Sequence, residues 1–182
     1  ISTLTSQGAY DAFVAKYSST GALQQAINFG SKHSDAANDL VLNASGMLYV
    51  TGYFEDTADF LPGAGTAPLV SNGNYDIFLA KYSPQLGYLA ATSYGNIESE
   101  EGAQLEANGT GVFLGGRLSS TVDFDPTPGT YTISTTGGED LFIAALDSTG
   151  KATWAGPVGS SDDDYQVFLA TTSAGHLFLA TS

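Results

Sequence analysis

The phrase Asp-x-Phe-x-Ala-Lys-Tyr occurs twice in this chain and returns a third time in an altered form. The copies begin at Asp11, Asp76 and Asp140, so successive copies lie 65 and 64 residues apart. A fixed period of this size indicates a repeat architecture, in which one structural unit recurs along the chain. We therefore predict that residues 1–182 form a single repeat domain.

Each period contains four short apolar segments separated by turn residues, and no segment of 12 or more residues has a helical period. The segment 76–82 carries apolar residues on both of its faces, whereas a sheet with one face in water would alternate apolar and polar residues. These patterns predict an all-β fold of repeated four-stranded antiparallel blades, similar to a β-propeller, with almost no helix. A β-solenoid is the alternative, although its coils are usually far shorter.

The phase of the repeat divides the domain into four parts. Residues 35–95 and 100–159 are each predicted to form a complete blade. Residues 1–30 would supply the last two strands of a blade, and residues 164–182 the first two. Such half-blades have open strand edges that tend to pair. We therefore expect neighbouring repeats or copies of the chain itself as partners, and a head-to-tail contact would close a ring or continue as a filament.

The repeated phrase is accompanied by Tyr94-Gly95, by G-M-L-Y-V-T-G at 46–52 and by V-D-F-D-P-T-P-G at 122–129. Together these motifs resemble the bacterial β-propeller repeats often called SBBP, including those of Bacteroidetes, and the resemblance covers nearly the whole chain. It implies a propeller fold in an exported protein, extracellular or at the cell surface. It transfers no catalytic residue.

The charge balance limits the classes of partner. Nineteen acidic residues face five basic ones, a formal net charge of −14, so nucleic acid and anionic membrane surfaces are unfavourable partners. No apolar run approaches the roughly 18 residues of a membrane span. The chain has no cysteine, which excludes disulfides and thiolate metal sites. It opens on Ile1 without a signal peptide, and we interpret it as a mature or internal part of a longer protein.

No catalytic constellation is visible in the sequence. The two histidines, His33 and His176, do not occupy equivalent repeat positions, and there is no Gly-x-Ser-x-Gly motif. We therefore expect a non-enzymatic protein that serves as an adhesion module or structural scaffold. The alternative is a lectin-like or polysaccharide-cleaving propeller, because tyrosines can stack on sugars and a carboxylate pair can hydrolyse glycosides.

Calcium is the one metal that the sequence suggests. Asp123 and Asp125 lie two residues apart in an Asp-Pro loop, and Asp59 is the repeat equivalent of Asp123. Calcium takes six to eight oxygen ligands, which such loops can supply in part. Leu61 stands where Asp125 does, which reduces the ligand set of the first loop. The alternative is a turn whose carboxylates cap the backbone.

A second set of carboxylates, Asp35, Glu100 and Asp164, recurs immediately before a predicted strand. Carboxylates at such positions more often accept backbone N–H groups than bind metal.

Four residues are candidates for glycosylation. Asn43 and Asn108 begin N-x-Ser/Thr sequons at the same turn of two successive repeats. Thr57 and Ser148 follow aspartates in a pattern similar to the O-glycosylation motif of Bacteroidetes. Turn formation is the alternative explanation for each of them.

Overall fold

The computed structural model describes residues 3–181, which contain β-strands and no helix. The strands are β1 (Ala12–Tyr17), β2 (Leu23–Phe29), β3 (Ala36–Leu42), β4 (Leu48–Phe54), β5 (Thr57–Asp59), β6 (Pro68–Val70), β7 (Asp76–Tyr82), β8 (Tyr88–Tyr94), β9 (Glu101–Asn108), β10 (Gly111–Leu118), β11 (Val122–Asp123), β12 (Thr132–Ile133), β13 (Asp140–Leu146), β14 (Ala152–Val158), β15 (Val167–Thr171) and β16 (Leu177–Thr181). The prediction of an all-β, antiparallel fold is confirmed.

The strands form two large sheets and four two-stranded ones. Sheet I has the order β3-β4-β7-β8, and sheet II has the order β9-β10-β13-β14. Strands β1 and β2 pair with each other, as do β15 and β16, and we call these the N-terminal pair and the C-terminal pair. Neighbouring strands of a sheet follow each other along the chain except for β4–β7 and β10–β13. Between these lies a small hairpin, β5–β6 or β11–β12.

The sheets pack against one another in chain order, and three apolar clusters hold them together. The first joins the N-terminal pair to sheet I through residues such as Phe29 and Phe78. The second joins sheet I to sheet II, and Ile77 and Phe142 belong to it. The third joins sheet II to the C-terminal pair. Both faces of each four-stranded sheet are therefore covered, which explains why these strands are apolar on both sides.

The two small hairpins occupy a long loop in which the sequence predicted no strands. Each places a phenylalanine inside the cluster between two sheets. Phe60 lies 5.2 Å from Phe29 and 5.1 Å from Phe78, measured between ring centroids. Phe124 lies 4.9 Å from Phe142 in the same manner. The loop therefore closes one end of each inter-sheet core.

A tight β-bulge requires glycine near the end of β4 and β10. A Cβ added to Gly52 would lie 1.9 Å from the carbonyl oxygen of Ala36, and one added to Gly116 would lie 2.0 Å from that of Glu101. The pairing register shifts beside both glycines. The C-terminal pair has Thr181 at this position and pairs without such a shift.

Candidate functional site

Two of the calcium candidates, Asp123 and its repeat equivalent Asp59, accept hydrogen bonds from the backbone of their own loops. Asp123 Oδ1 accepts the backbone N–H groups of Asp125 at 3.0 Å and Tyr131 at 2.7 Å. Asp59 Oδ1 does the same with Leu61 at 3.0 Å and Ala67 at 2.8 Å. Each carboxylate thus joins the two sides of its loop, as the capping alternative predicts.

The third calcium candidate, Asp125, is paired with a cation of the chain. Its Oδ2 lies 2.7 Å from Lys151 Nζ, and its Oδ1 accepts hydrogen bonds from the Thr127 N–H and hydroxyl. Lys151, helped by Thr127, lowers the pKa of Asp125 to about 2. Within residues 3–181, no three His, Cys, Asp or Glu side chains come together as a metal site would require. Calcium therefore remains a prediction without support from the geometry.

The carboxylates before each first strand also serve the backbone. Asp35 accepts the N–H of Ser31 at 2.6 Å, Glu100 that of Asn96 at 3.0 Å, and Asp164 that of Ser160 at 2.9 Å. The spacing of four residues is the same in all three. Burial raises the pKa of both Asp35 and Glu100, and the hydrogen bonds oppose this rise. These carboxylates stabilise the loop that connects each sheet to the next.

A second carboxylate lies against the same connection. A Cβ added to Gly95 would lie 2.2 Å from the Asp76 carboxyl carbon, so only glycine fits. The equivalent Gly159 separates Asp140 from Asp164, whose nearest oxygens would lie 2.7 and 2.6 Å from the added atom. Burial raises the pKa of Asp76, and its Oδ1 is buried without a hydrogen-bond partner.

The glycosylation candidates differ in accessibility. Asn43 is buried; its amide donates to the Thr110 carbonyl at 2.8 Å and accepts the Ser45 and Met47 N–H groups, so a glycan on its nitrogen would break this turn. Asn108, Thr57 and Ser148 are exposed. For these three residues, glycosylation remains a sterically permitted prediction.

A cleft of about 430 Å³ lies between the ends of sheets I and II, and its size is that of a small-molecule site. Its lining combines aromatic rings with charged groups: Tyr53, Tyr75, Ser99, Glu100, Glu101, Arg117 and Glu139. The two tyrosine rings lie 4.9 Å apart at an angle of 59°.

Arg117 organises the charged side of the cleft. Its guanidinium bonds Glu101 through Nη2 and lies 3.1 Å from Glu139 through Nη1. The hydrogen bond to Glu101 raises the pKa of Arg117, and burial together with Glu101 raises that of Tyr53. One cation therefore faces three carboxylates, and this excess of negative charge disfavours anions in the cleft.

The sequence did not single out this cleft. Its residues come from five separate segments, and only the packing of sheet I on sheet II brings them together. A signal was nevertheless present, because Tyr53 and Arg117 occupy equivalent repeat positions, as do Tyr75 and Glu139. Divergence at equivalent loop positions marks surface that the fold itself does not constrain.

Comparison with known proteins yields limited similarity. No model of a known protein family matches the chain. The chain is 28% identical over 134 residues to the "Regulatory protein FlaEY" of Caulobacter vibrioides. The match covers 69% of this chain but only 13% of that protein. The described part of the chain includes no helix that is long and apolar enough to cross a membrane.

Proposed function

We propose that the chain is a non-enzymatic repeat scaffold of the β-propeller type that acts outside the cell or at its surface, in adhesion or as a structural element. The observation that carries the proposal is the packing of four-stranded sheets in succession, each covered on both faces by its neighbours. Propellers use radial repetition of such sheets as their architectural principle. An exported location agrees with the acidic, cysteine-free composition.

The terminal pairs support a role in assembly. Phe13 and Tyr17 are exposed on the N-terminal pair, and Phe168 and Phe178 on the C-terminal pair. Two-stranded sheets with an apolar open face and a free edge are rarely stable as isolated surfaces. A scaffold that joins copies or neighbouring repeats at these ends would cover them.

Sedimentation velocity tests the scaffold role. We expect the parent chain to sediment as a species larger than 18.8 kDa, and Phe178→Asp to sediment as a monomer with unchanged β-sheet circular dichroism. Ile97→Asp is the matched control, because Ile97 is at least as exposed as Phe178 but lies on the connection between sheets I and II. A monomeric parent, or equal behaviour of the parent and Phe178→Asp, would contradict the proposal.

Carbohydrate binding is the second candidate function, and the cleft lined by Tyr53, Tyr75 and Arg117 favours it. Tyrosine rings present an apolar body and a polar hydroxyl, which suits the faces and edges of sugar rings. On a glycan array, we expect Tyr75→Ala to abolish any binding of the parent. Tyr10→Ala is the control at the equivalent repeat position outside the cleft, where the ring is exposed.

Cleavage of polysaccharide is tested separately through Glu100, a cleft carboxyl whose pKa burial raises, as a general acid requires. Turnover by the parent that disappears in Glu100→Gln would replace the non-enzymatic proposal. We expect no turnover in either protein.

A further inference from the structure

We propose that the cleft between sheets I and II binds a saccharide that carries a free ammonium group, such as an oligomer of glucosamine. This ligand class refines the second candidate function, carbohydrate binding, and rests on it. Both sheets beside the cleft are four-stranded, so its walls do not depend on the N-terminal or C-terminal pair.

The backbone beside the cleft is the same as at the preceding junction between sheets. The Glu100 N–H donates to the Tyr75 carbonyl at 2.8 Å, and one repeat earlier the Asp35 N–H donates to the Tyr10 carbonyl at 2.8 Å. The Glu100 carboxylate also serves this frame, because it accepts the Ser120 hydroxyl at 3.1 Å in addition to a backbone N–H. A ligand would therefore be met by the other lining residues.

The charged side chains of the cleft have no charged counterpart one repeat earlier. The positions equivalent to Glu101, Arg117 and Glu139 hold the uncharged residues Ala36, Tyr53 and Tyr75. The junction does not require these charges, since the same backbone contacts form without them. Charges that the fold does not need, placed in a cavity of ligand size, point to a bound molecule.

The aromatic part of the cleft offers a surface for a sugar ring. Tyr53 and Tyr75 are in ring contact, so each restricts the orientation of the other. Tyr75 is nevertheless 38% exposed. A partly exposed tyrosine held in one orientation presents both an apolar ring and a hydroxyl to a ligand, and a sugar ring has apolar faces with polar edges.

The carboxylates beside the tyrosines favour a cationic sugar over a neutral or anionic one. Glu101 is occupied on both oxygens, by Arg117 and by the Asn38 amide at 2.7 Å. Within residues 3–181, the side chain of Glu139 is engaged through Oε2 alone, and it is 40% exposed. Glu139 Oε1 is thus a charged acceptor that a ligand can reach, and an ammonium group is a donor that pairs strongly with it.

Arg117 favours a sugar over a lysine side chain as the bearer of the ammonium group. Its guanidinium has more N–H donors than the two that bond Glu101 and Glu139. Sugar hydroxyls can accept hydrogen bonds from the remaining donors, whereas the aliphatic stem of a lysine has no acceptor. A cleft with a free donor, a free charged acceptor and an aromatic ring therefore matches an amino sugar at all three points.

Isothermal titration with two tetrasaccharides tests the ligand class. The glucosamine tetramer and the N-acetylglucosamine tetramer have the same chain length, but N-acetylation removes the positive charge. At a pH at which the amines are charged, we expect the parent to bind the glucosamine tetramer at least about tenfold more tightly. One added hydrogen bond between charged groups accounts for a difference of this size.

Two variants that each remove one negative charge locate the ammonium group. Glu139→Gln should lower the affinity for the glucosamine tetramer about tenfold and leave the affinity for the N-acetylated tetramer unchanged. Glu98→Gln is the matched control, because Glu98 is exposed on the connection between sheets I and II but does not line the cleft. An equal loss in both variants would assign the attraction to net charge and overturn the proposal.

The remaining outcomes separate this proposal from the functions on which it builds. Equal affinity of the parent for the two tetramers would overturn the ammonium specificity and leave carbohydrate binding intact. Binding of neither tetramer would overturn both, while the scaffold function is judged by sedimentation alone. Tighter binding of a lysine tetrapeptide than of the glucosamine tetramer would also overturn the proposal, because the cleft would then recognise a basic segment of a protein.

Discussion

Strands β1 and β7 carry nearly the same sequence, AFVAKY and DIFLAKY, yet they lie in different surroundings. Each forms an antiparallel hairpin with the following strand, and each pairing shifts register at the same place, between the lysine and the tyrosine. Phe78 is 0% exposed, and Phe13 is 64% exposed. The local sequence therefore dictates the hairpin, but a neighbouring sheet decides whether its aromatic face becomes core.

The largest expected effect separates the two phenylalanines. In the Phe178→Asp background, which we expect to be monomeric, Phe78→Ala should lower the free energy of unfolding by about 3–5 kcal/mol, because it opens a cavity between Phe29 and Phe60. Phe13→Ala should change it by less than about 0.5 kcal/mol. Urea denaturation followed by Trp154 fluorescence measures both. Similar losses at the two positions would show that Phe13 is covered within one copy.

The next effect concerns the glycines at the ends of β8 and β2. Gly95→Ala should lower the free energy of unfolding by about 1–3 kcal/mol, because the new Cβ would overlap the buried Asp76 carboxyl. Gly30→Ala should cost less, since the new Cβ would lie 2.8 Å from Asp35 Oδ2 and 3.0 Å from the half-buried Asp11 carboxyl, against 2.2 Å from the Asp76 carboxyl carbon at Gly95. Gly156→Ala, with nothing within 4 Å of the new atom, is the control. Equal costs at Gly95 and Gly30 would contradict this difference in freedom.

A pH effect should distinguish the covered carboxyl Asp76. Burial raises its pKa above the usual 3.8, so the folded chain holds this proton more tightly than the unfolded chain does. The free energy of unfolding should therefore fall as pH rises from about 4 through the raised pKa. Asp76→Asn removes this titration, and we expect it to flatten the profile of thermal stability in that window.

Asp125→Asn serves as the opposite case in the same measurement. Lys151 lowers the pKa of Asp125 to about 2. The contribution of Asp125 to the free energy of unfolding is therefore fully present above pH 3.8 and is lost as the pH falls toward about 2. The variant should differ from the parent in how its stability changes below pH 4, roughly the ordinary aspartate pKa. A flattened profile above that value would show that the assignment is wrong.

The smallest expected effect compares the two repeated lysines. Lys81 donates to the Ser148 carbonyl and lies over Tyr49, while Lys16 donates to the Pro84 carbonyl with no ring beneath it in one copy. Lys81→Met should lower the free energy of unfolding by about 0.5–1 kcal/mol. Lys16→Met should lower it less, because within residues 3–181 Lys16 makes no cation–π contact that the substitution could remove. Equal costs at the two lysines would show that the Tyr49 ring adds nothing to the contact of Lys81.

Much of the secondary structure could be predicted from local residues. The period, the apolar runs and turn glycines such as Gly21, whose φ is 81°, indicated where hairpins form. The carboxylates Asp35 and Glu100 were expected to accept backbone N–H groups, and they do. The hairpins β5–β6 and β11–β12 were missed, because strands of two or three residues are too short to show a detectable periodicity.

The cleft could not have been derived in this way. Tyr53 is the last but one residue of β4, Glu101 begins β9, and Glu139 precedes β13, so no local spacing relates them. Their proximity follows from the distance and angle at which sheet I packs on sheet II.

The sequence by itself determined which segments form strands and which turns join neighbouring strands, because turn formation and alternation are local properties of the backbone. Tertiary structure decided the rest, and Leu86 shows why. It adopts a positive φ of 53° where the equivalent turns have Gly21 and Gly150. Such a backbone costs a leucine roughly 1–2 kcal/mol, and no turn rule would place it there. The side chain is buried in the cluster between the N-terminal pair and sheet I, and that burial offsets the strain.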